Sequence, residues 1–383
     1  MRILHTSDWH VGRTFHGHST TEALESVLDA LVAIVRERSV DVVIVAGDVF
    51  DSTMPASDHY GVLERTLSRL RGAGTVVIVT SGNHDSATRL GFQSEFARLA
   101  DVHVITRPEQ HDVPVTLEDE HGPVHVYGIP YLEPSLVRHR YPDVALKRHS
   151  DVLGFVMDRI RSDLAERGGR SVVVSHCFAT GAAGSDVERD ITAGGLDYVP
   201  LATFDGPDYV ALGHIHGRAA LSDRVRYSGA PLHYSFSEAD KPRGAWLVEL
   251  DASGLSTVEW VDLPIPRRLV RLTGPIEELL LSPDYTEFED AWLAVVLTDD
   301  VRPLDAMPRL QRRFRWCALL EHRPATVHDD GVVSYAARIE QKSDVEIVAG
   351  FLEHVRNGRG PTNAEAELVG DAFAAVAARE ATR

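Results

Sequence analysis

The sequence predicts an α/β fold: a two-sheet sandwich flanked by helices, then a small α+β capping domain and a C-terminal helical hairpin. Three observations carry this. Apolar strand-like runs alternate with amphipathic helical stretches in the first part of the chain, the pattern of βαβ units around a buried, largely parallel sheet. Short polar motifs follow those runs, at the strand ends where such sheets gather ligands. Finally, Leu263-Pro264-Ile265-Pro266 reads as a linker that divides the chain.

Arg2 to Thr6 reads as a short strand, followed by Ser7-Asp8-Trp9-His10. Thr20 to Arg38 reads as a helix, because Leu24, Val27, Leu28, Leu31, Ile34 and Val35 fall at helical spacing. The stretch Asp41 to Asp51 is an apolar strand that delivers Asp48 to its tip, with Gly47 leaving room for a close approach. Asp58 to Arg71 is a second helix, stopped at Gly72-Ala73-Gly74. The strand Thr75 to Thr80 then runs into Ser81-Gly82-Asn83-His84-Asp85.

Short strands from Val102 lead to Tyr127–Pro130, and a helix covers Asp151 to Glu166. After Gly168-Gly169 the strand Ser171 to Ser175 places His176 at its tip, and Asp208 to Leu212 ends in Gly213-His214-Ile215-His216-Gly217. Arg224–Ser228, Ala245–Leu250 and Thr257–Val261 are expected as antiparallel strands completing a second sheet. Beyond the linker, strands are expected at Leu269–Leu272, Trp292–Thr298 and Arg315–Glu321, with helices near Ile276–Leu281 and Leu304–Arg313. Amphipathic helices at Asp344–Arg356 and Asn363–Arg379 flank Gly358-Arg359-Gly360-Pro361. The expected domains are 1–263, 267–340 and 341–383.

At 383 residues there is material for two or three domains. A net charge of −18 argues against a nucleic-acid ligand, unless metal cations neutralise site carboxylates or a partner supplies the contact. Cys177 and Cys317 lie far apart with no C-x-x-C spacing, so neither a disulfide framework nor a thiolate zinc site is indicated. A reducing cytoplasm is the home this cysteine usage predicts; the first residues show no signal-peptide pattern and no run approaches a membrane span.

Five strand ends thus carry D-x-H, G-D-x-x-D, G-N-H-D, a lone His and G-H-x-H. Carboxylate and amide oxygens mixed with imidazoles suit a pair of manganese, iron or zinc ions. A dinuclear site of this kind binds a phosphoester and activates water near neutral pH.

The ordered set resembles that of the calcineurin-like metallophosphoesterases. Within them it is similar to the SbcD group of nuclease subunits, through His5-Thr6-Ser7-Asp8-Trp9-His10-Val11-Gly12-Arg13, Ala46-Gly47-Asp48-Val49-Phe50-Asp51, Gly82-Asn83-His84-Asp85-Ser86, Val174-Ser175-His176 and Tyr209-Val210-Ala211-Leu212-Gly213-His214-Ile215-His216. The resemblance covers about residues 1 to 250; after the linker it rests on layout alone. It implies one metal on Asp8, His10, Asp48 and His216, and the other on Asp48, Asn83, His176 and His214, with Asp48 bridging. His84 is then the catalytic residue without a ligand role, and Asp85 orients His84 or a ligand. Arg13, Asp51 and Arg89 are candidates for contact with the DNA backbone; at Asp51 some relatives have His.

The resemblance further implies a manganese-dependent DNA nuclease, exonucleolytic on duplex ends and endonucleolytic on single strands or hairpins. Its partners would be an SbcC-type coiled-coil ATPase and a second copy of the chain, together a heterotetramer. Rival readings are a phosphoesterase of small phosphodiesters or phosphoproteins, and a non-catalytic DNA-binding scaffold. His16, His18, His59, His103 and His125 are expected on loops or the surface, Cys177 as packing, and the basic run Arg309 to Arg315 as a DNA contact or a solvated helix face.

Overall fold

The computed structural model describes residues 1–182, 198–324, 342–356 and 358–380; the last residues of the expected cap, 325–340, lie outside the described residues. By its internal contacts the chain divides into two compact units, Met1–Pro266 and Arg267–Arg383.

The first unit is built on two six-stranded sheets. In one, the strand order is Gly254–Asp262, Gly244–Asp251, Arg2–Thr6, Val42–Ala46, Val76–Thr80, Val102–Ile105. In the other it is Ala219–Ala220, Val225–Tyr227, Tyr209–Gly213, Arg170–His176, Gly122–Gly128, Val115–Asp119. Both sheets are parallel at the centre; the second is antiparallel at both edges, the first only on the side of Gly244–Asp251 and Gly254–Asp262, since its edge strand Val102–Ile105 runs parallel to Val76–Thr80. The side-chain alternation of a strand sorts the core into three layers. Val42, Ile44 and Ala46 face Val172, Val174 and Ala211 between the sheets. Val43 and Val45 turn the other way, onto the cluster containing Leu24, Leu28 and Leu31 of helix Thr21–Glu37. On the outer side of the second sheet, Val173 and Val210 meet Val152, Val156 and Ile160 of helix His149–Arg167.

Two expectations need correction here. The strands Gly244–Asp251 and Gly254–Asp262 complete the first sheet, not the second: Arg2–Thr6 pairs antiparallel with Gly244–Asp251 from Arg2↔Glu249 to His5↔Trp246. Arg2–Thr6 is buried from Ile3 onward and needs a partner on both edges, and the hairpin supplies the second. Val225–Tyr227 does join the second sheet, but parallel to Tyr209–Gly213. His125 likewise proves buried, on a central strand, with Nδ1 2.9 Å from Thr116 Oγ1.

The end of the sandwich away from the ligand motifs is tied by charge. The Arg170 guanidinium grips Asp119 with both nitrogens, at 2.9 and 2.5 Å, and also donates to Gly122 O and to Asp251 O of the other sheet. Arg170 holds the Asp119 carboxyl far below the usual carboxylate range. A depressed carboxylate adds stability above its unfolded pKa, and that stability drains as pH falls toward the folded value. Asp119→Asn is therefore expected to cost about 2 kcal/mol at pH 7 in urea unfolding. The gap to wild type should narrow below about pH 4. A gap constant down to pH 3 would show that this ionisation is not its source.

In the second unit, Leu269–Gly274, Trp292–Leu297 and Cys317–His322 form a three-stranded parallel sheet. Ile276 and Leu279 of helix Ile276–Leu281 and Leu310 of helix Ala306–Arg313 pack with Leu293, Val295 and Phe314. Two arginines of the basic run are used inside this unit, Arg309 paired with Glu277 and Arg313 3.0 Å from Glu289, while Arg312 and Arg315 are exposed. Helix Asp344–Val355 starts at a Ser343–Glu346 capping box, and helix Asn363–Glu380 is joined to the first by the Arg356–Glu365 pair, two contacts of 2.8 Å. Phe351 and Val355 remain 51% and 45% exposed and Leu368 68% exposed, whereas Ile347, Val348, Leu352, Val369 and Phe373 are half-buried, so among the described residues the apolar stripes are covered only in part.

Candidate metal centre

The carboxyl ends of five parallel strands meet at one end of the first unit. The turns after Thr6 and after Ala46 run side by side: Asp8 N donates to Gly47 O and His10 N to Asp48 O, both at 3.0 Å. Asp8, His10 and Asp48 take φ of 54°, 46° and 49°, and His214 takes 106°. Left-handed backbone at non-glycine residues costs on the order of 1–3 kcal/mol each and persists where the surroundings enforce it. Here Asp8 accepts from His214 N at 3.1 and 3.2 Å, and Asp48 Oδ1 accepts from His84 N at 2.8 Å. Glycines let the two sheets touch at this end. A Cβ on Gly213 would lie 1.8 Å from Ala46 O, and one on Gly47 would lie 2.3 Å from His176 Nδ1.

The donors converge as two overlapping sets. His10 Nε2 lies 3.1 Å from His216 Nε2 and 3.7 Å from Asp48 Oδ2. His176 Nε2 lies 3.4 Å from the same Asp48 oxygen and 2.9 Å from Asn83 Oδ1, which is also 3.2 Å from His214 Nδ1. Asp48 Oδ2 therefore stands between the sets. Asp8, His10 and His216 bring donor atoms within 4.8 Å of one another, as do Asp8, Asp48 and His176, and His10, Asp48 and His84. Asn83 Nδ2 is buried without a partner among the described residues, so the amide is engaged through its oxygen, as a metal ligand must be. Oxygen and imidazole donors with no thiolate suit a pair of divalent ions.

The electrostatics favour a cation. Burial pushes Asp8 up to about 6 and pulls His10 and His214 down to about 3. Burial also disfavours charge at His176, yet Asp48 and Asp8 raise it to about 9. Burial likewise opposes the Asp48 carboxylate, but His176 and His10 hold it well below its ordinary value. The pocket keeps protons off two of its imidazoles and draws positive charge to Asp48.

Around the donors, the other sequence candidates take distinct places. His84 is part-exposed, with Nδ1 2.9 Å from Asp51 O and its ring edge-on to His10 at 4.9 Å. Asp85 accepts from Val49 N, Phe50 N and Gly82 N at 3.1, 2.8 and 2.9 Å. It clamps the loop carrying Asn83 and His84 onto the loop carrying Asp48, and burial with Asp48 nearby raises it to about 7. Asp51 turns inward, Oδ1 3.2 Å from both His10 Nδ1 and Arg13 Nη1. Arg13 also lies over the Tyr234 ring at 5.0 Å, and Arg89 donates to Thr53 O at 3.0 Å.

Two residues, Glu238 and Arg243, escaped the sequence reading. Glu238 is fully buried, with Oε1 3.1 Å from His216 Nδ1, while Oε2 accepts from Arg243 Nη2 at 2.7 Å and Tyr234 N at 2.9 Å. Burial opposes its charge, but His216 and Arg243 bring it down to about 2. The only hint was a lone acid within the aromatic stretch Tyr234-Ser235-Phe236-Ser237-Glu238, with no spacing that ties it to His216.

Residues 1–218 match the calcineurin-like phosphoesterase family. The chain belongs to that family. Its members use a dimetal centre, and the donors above are this member's candidates for it. Residues 265–356 match the SbcD C-terminal domain, described as the type 5 capsule protein repressor C-terminal domain. Together the two matches support an SbcD-type nuclease subunit. Among solved structures, a protein of Thermus thermophilus is similar at 14% identity, over 68% of this chain and 98% of its own, with a TM-score of 0.41. A dimetal phosphatase from Danio rerio is similar at 13%, over 69% and 99%, with a TM-score of 0.41. GAP50, the anchor in the inner membrane complex of Plasmodium, is similar at 12%, over 85% and 98%, with a TM-score of 0.43. Among the described residues, no helix is long and apolar enough to cross a membrane.

Proposed function

We propose that this phosphoesterase is a manganese-dependent DNA nuclease, exonucleolytic on duplex ends and endonucleolytic on single strands and hairpins, and that it works in the cytoplasm with an SbcC-type ATPase. The observation that carries the reading is that one chain combines converging Asp and His donors that could hold metal with a second unit matching the SbcD C-terminal domain. Asp8, His10, Asp48 and His216 would hold one ion, and Asp48, Asn83, His176 and His214 the other. Bound there, the pair supplies Lewis-acid activation of water and stabilises charge on the phosphoester oxygens.

The chain's own residues supply orientation and a proton. Asp51 O accepts from His84 Nδ1–H, so Nδ1 keeps its proton and Nε2 is the nitrogen left to exchange one. In the doubly protonated imidazolium, Nε2–H can be given to the leaving oxygen, which returns the ring to the neutral Nδ1–H tautomer. The Asp85 clamp keeps His84 in register with Asp48. Asp51 and Arg13 neutralise each other, so on this reading they hold His10 rather than DNA.

Partners follow from uncovered apolar surface. The stripes of the two tail helices suit a coiled coil of the ATPase, with Phe351 and Leu368 among their exposed residues. Phe92, Phe96 and Leu99 are 74%, 74% and 78% exposed on the segment after His84, and suit a second copy of the chain in a heterotetramer. Residues 267–340 would cap the DNA and 341–383 would dock the ATPase.

The test is manganese-dependent degradation of a labelled DNA hairpin by the purified chain, beside a small chromogenic phosphodiester, with the mass in solution measured by light scattering. Cleavage of both substrates by a particle of two chains is expected. Turnover of the small diester with DNA left intact even after adding the ATPase would favour a small-substrate phosphoesterase.

A further inference from the structure

The two halves of the donor set are backed differently, and the proposed dimetal reading gives that difference a consequence. On one side, both histidines have a carboxylate at the nitrogen away from the centre. His216 Nδ1 is hydrogen-bonded to Glu238 Oε1 at 3.1 Å, whereas Asp51 Oδ1 lies 3.2 Å from His10 Nδ1 without hydrogen-bond geometry. On the other side, His176 Nδ1 is 3.0 Å from Ala46 O, a neutral carbonyl, and His214 turns Nδ1 itself toward Asn83. A carboxylate behind a ligating imidazole fixes its tautomer and raises its basicity, and removing such a partner typically costs about 10–100-fold in metal affinity.

Glu238 is the stronger of the two backing groups. Asp51 is part-exposed and shared with Arg13, whereas Glu238 is fully buried and held by Arg243 Nη2 and Tyr234 N. Arg243 also donates from Nη1 to His216 O and, at 3.2 Å, to Ala230 O. One buried ion pair therefore fixes both ends of the ligand: Glu238 its ring and Arg243 its backbone.

We infer that Glu238 is a positioning residue that makes the Asp8–His10–Asp48–His216 half the tighter of two unequal metal sites, so that one ion is resident and the other exchanges.

The experiment is calorimetric titration of the metal-free full chain with manganese alone, which reads binding and not turnover. Wild type is expected to show two events with dissociation constants at least about tenfold apart. Glu238→Gln should weaken the tighter event about 10–100-fold and leave the weaker within about threefold. Glu238→Gln leaves Arg243 buried without its carboxylate, so the pair of changes Glu238→Gln and Arg243→Met serves where the single variant does not fold. Thermal unfolding of the metal-free chains reports any purely structural effect, which would lower the melting temperature without changing the ratio of the two constants. Two equal constants in wild type, or a folded variant with its tighter event unchanged, would overturn the inference. A chain that binds no manganese would instead sink the dimetal reading on which the inference rests.

Discussion

Asp48→Asn is expected to abolish manganese-dependent cleavage, a loss of roughly 10⁴-fold or more, and to weaken both bound ions together. The reason is position. Asp48 Oδ2 lies 3.7 Å from His10 Nε2 and 3.4 Å from His176 Nε2, so it faces both halves of the donor set. Any other ligand replaced singly should weaken one event of a manganese titration much more than the other. Asn keeps the shape and an oxygen to accept from His84 N, and it removes the like charge beside Asp8, so the fold should survive. Calorimetry on the variant is expected to show both constants weakened about 100-fold or more. Two ions bound at wild-type strength would take Asp48 out of the bridging position.

That position was readable because a strand is a simple object. The run Val42 to Ala46 is apolar at every residue, which requires burial on both faces and so a central parallel strand with its carboxyl end at the ligand edge. The same logic puts His176 at the tip of its strand and Asp8, Asn83 and His214 just past the ends of theirs. What stayed hidden depended on contacts distant in sequence. Gly244–Asp251 alternates no differently whether it joins one sheet or the other, and only the buried free edge of Arg2–Thr6 decides. Asp51 is a candidate for DNA contact through the resemblance alone; its pairing with Arg13, 38 positions earlier, has no sequence signal. Asp85 is expected to orient His84 or a ligand, but which groups its oxygens accept from, three amides of two loops, no spacing announces. Glu238 meets His216 across 22 residues of loop and strand, with no periodicity to mark it.

His84→Gln separates the chemistry from the metals. The ring of His84 is part-exposed, with Nδ1 held by Asp51 O, so replacement should leave both manganese constants within about threefold of wild type. DNA cleavage should fall about 10²–10⁴-fold, the usual contribution of a placed general acid. The assignment of the proton rests on a comparison of leaving groups. A deoxyribose oxygen leaves as a strongly basic alkoxide unless it is protonated, whereas a nitrophenolate leaves without help. The variant should therefore lose the full factor on DNA and less than about tenfold on a nitrophenyl phosphodiester. Equal losses on both substrates would mean that His84 stabilises charge on phosphorus or orients the phosphate, and the general acid would have to be sought elsewhere. Full loss on both with weakened manganese binding would place His84 among the ligands, in keeping with its approach to His10 and Asp48.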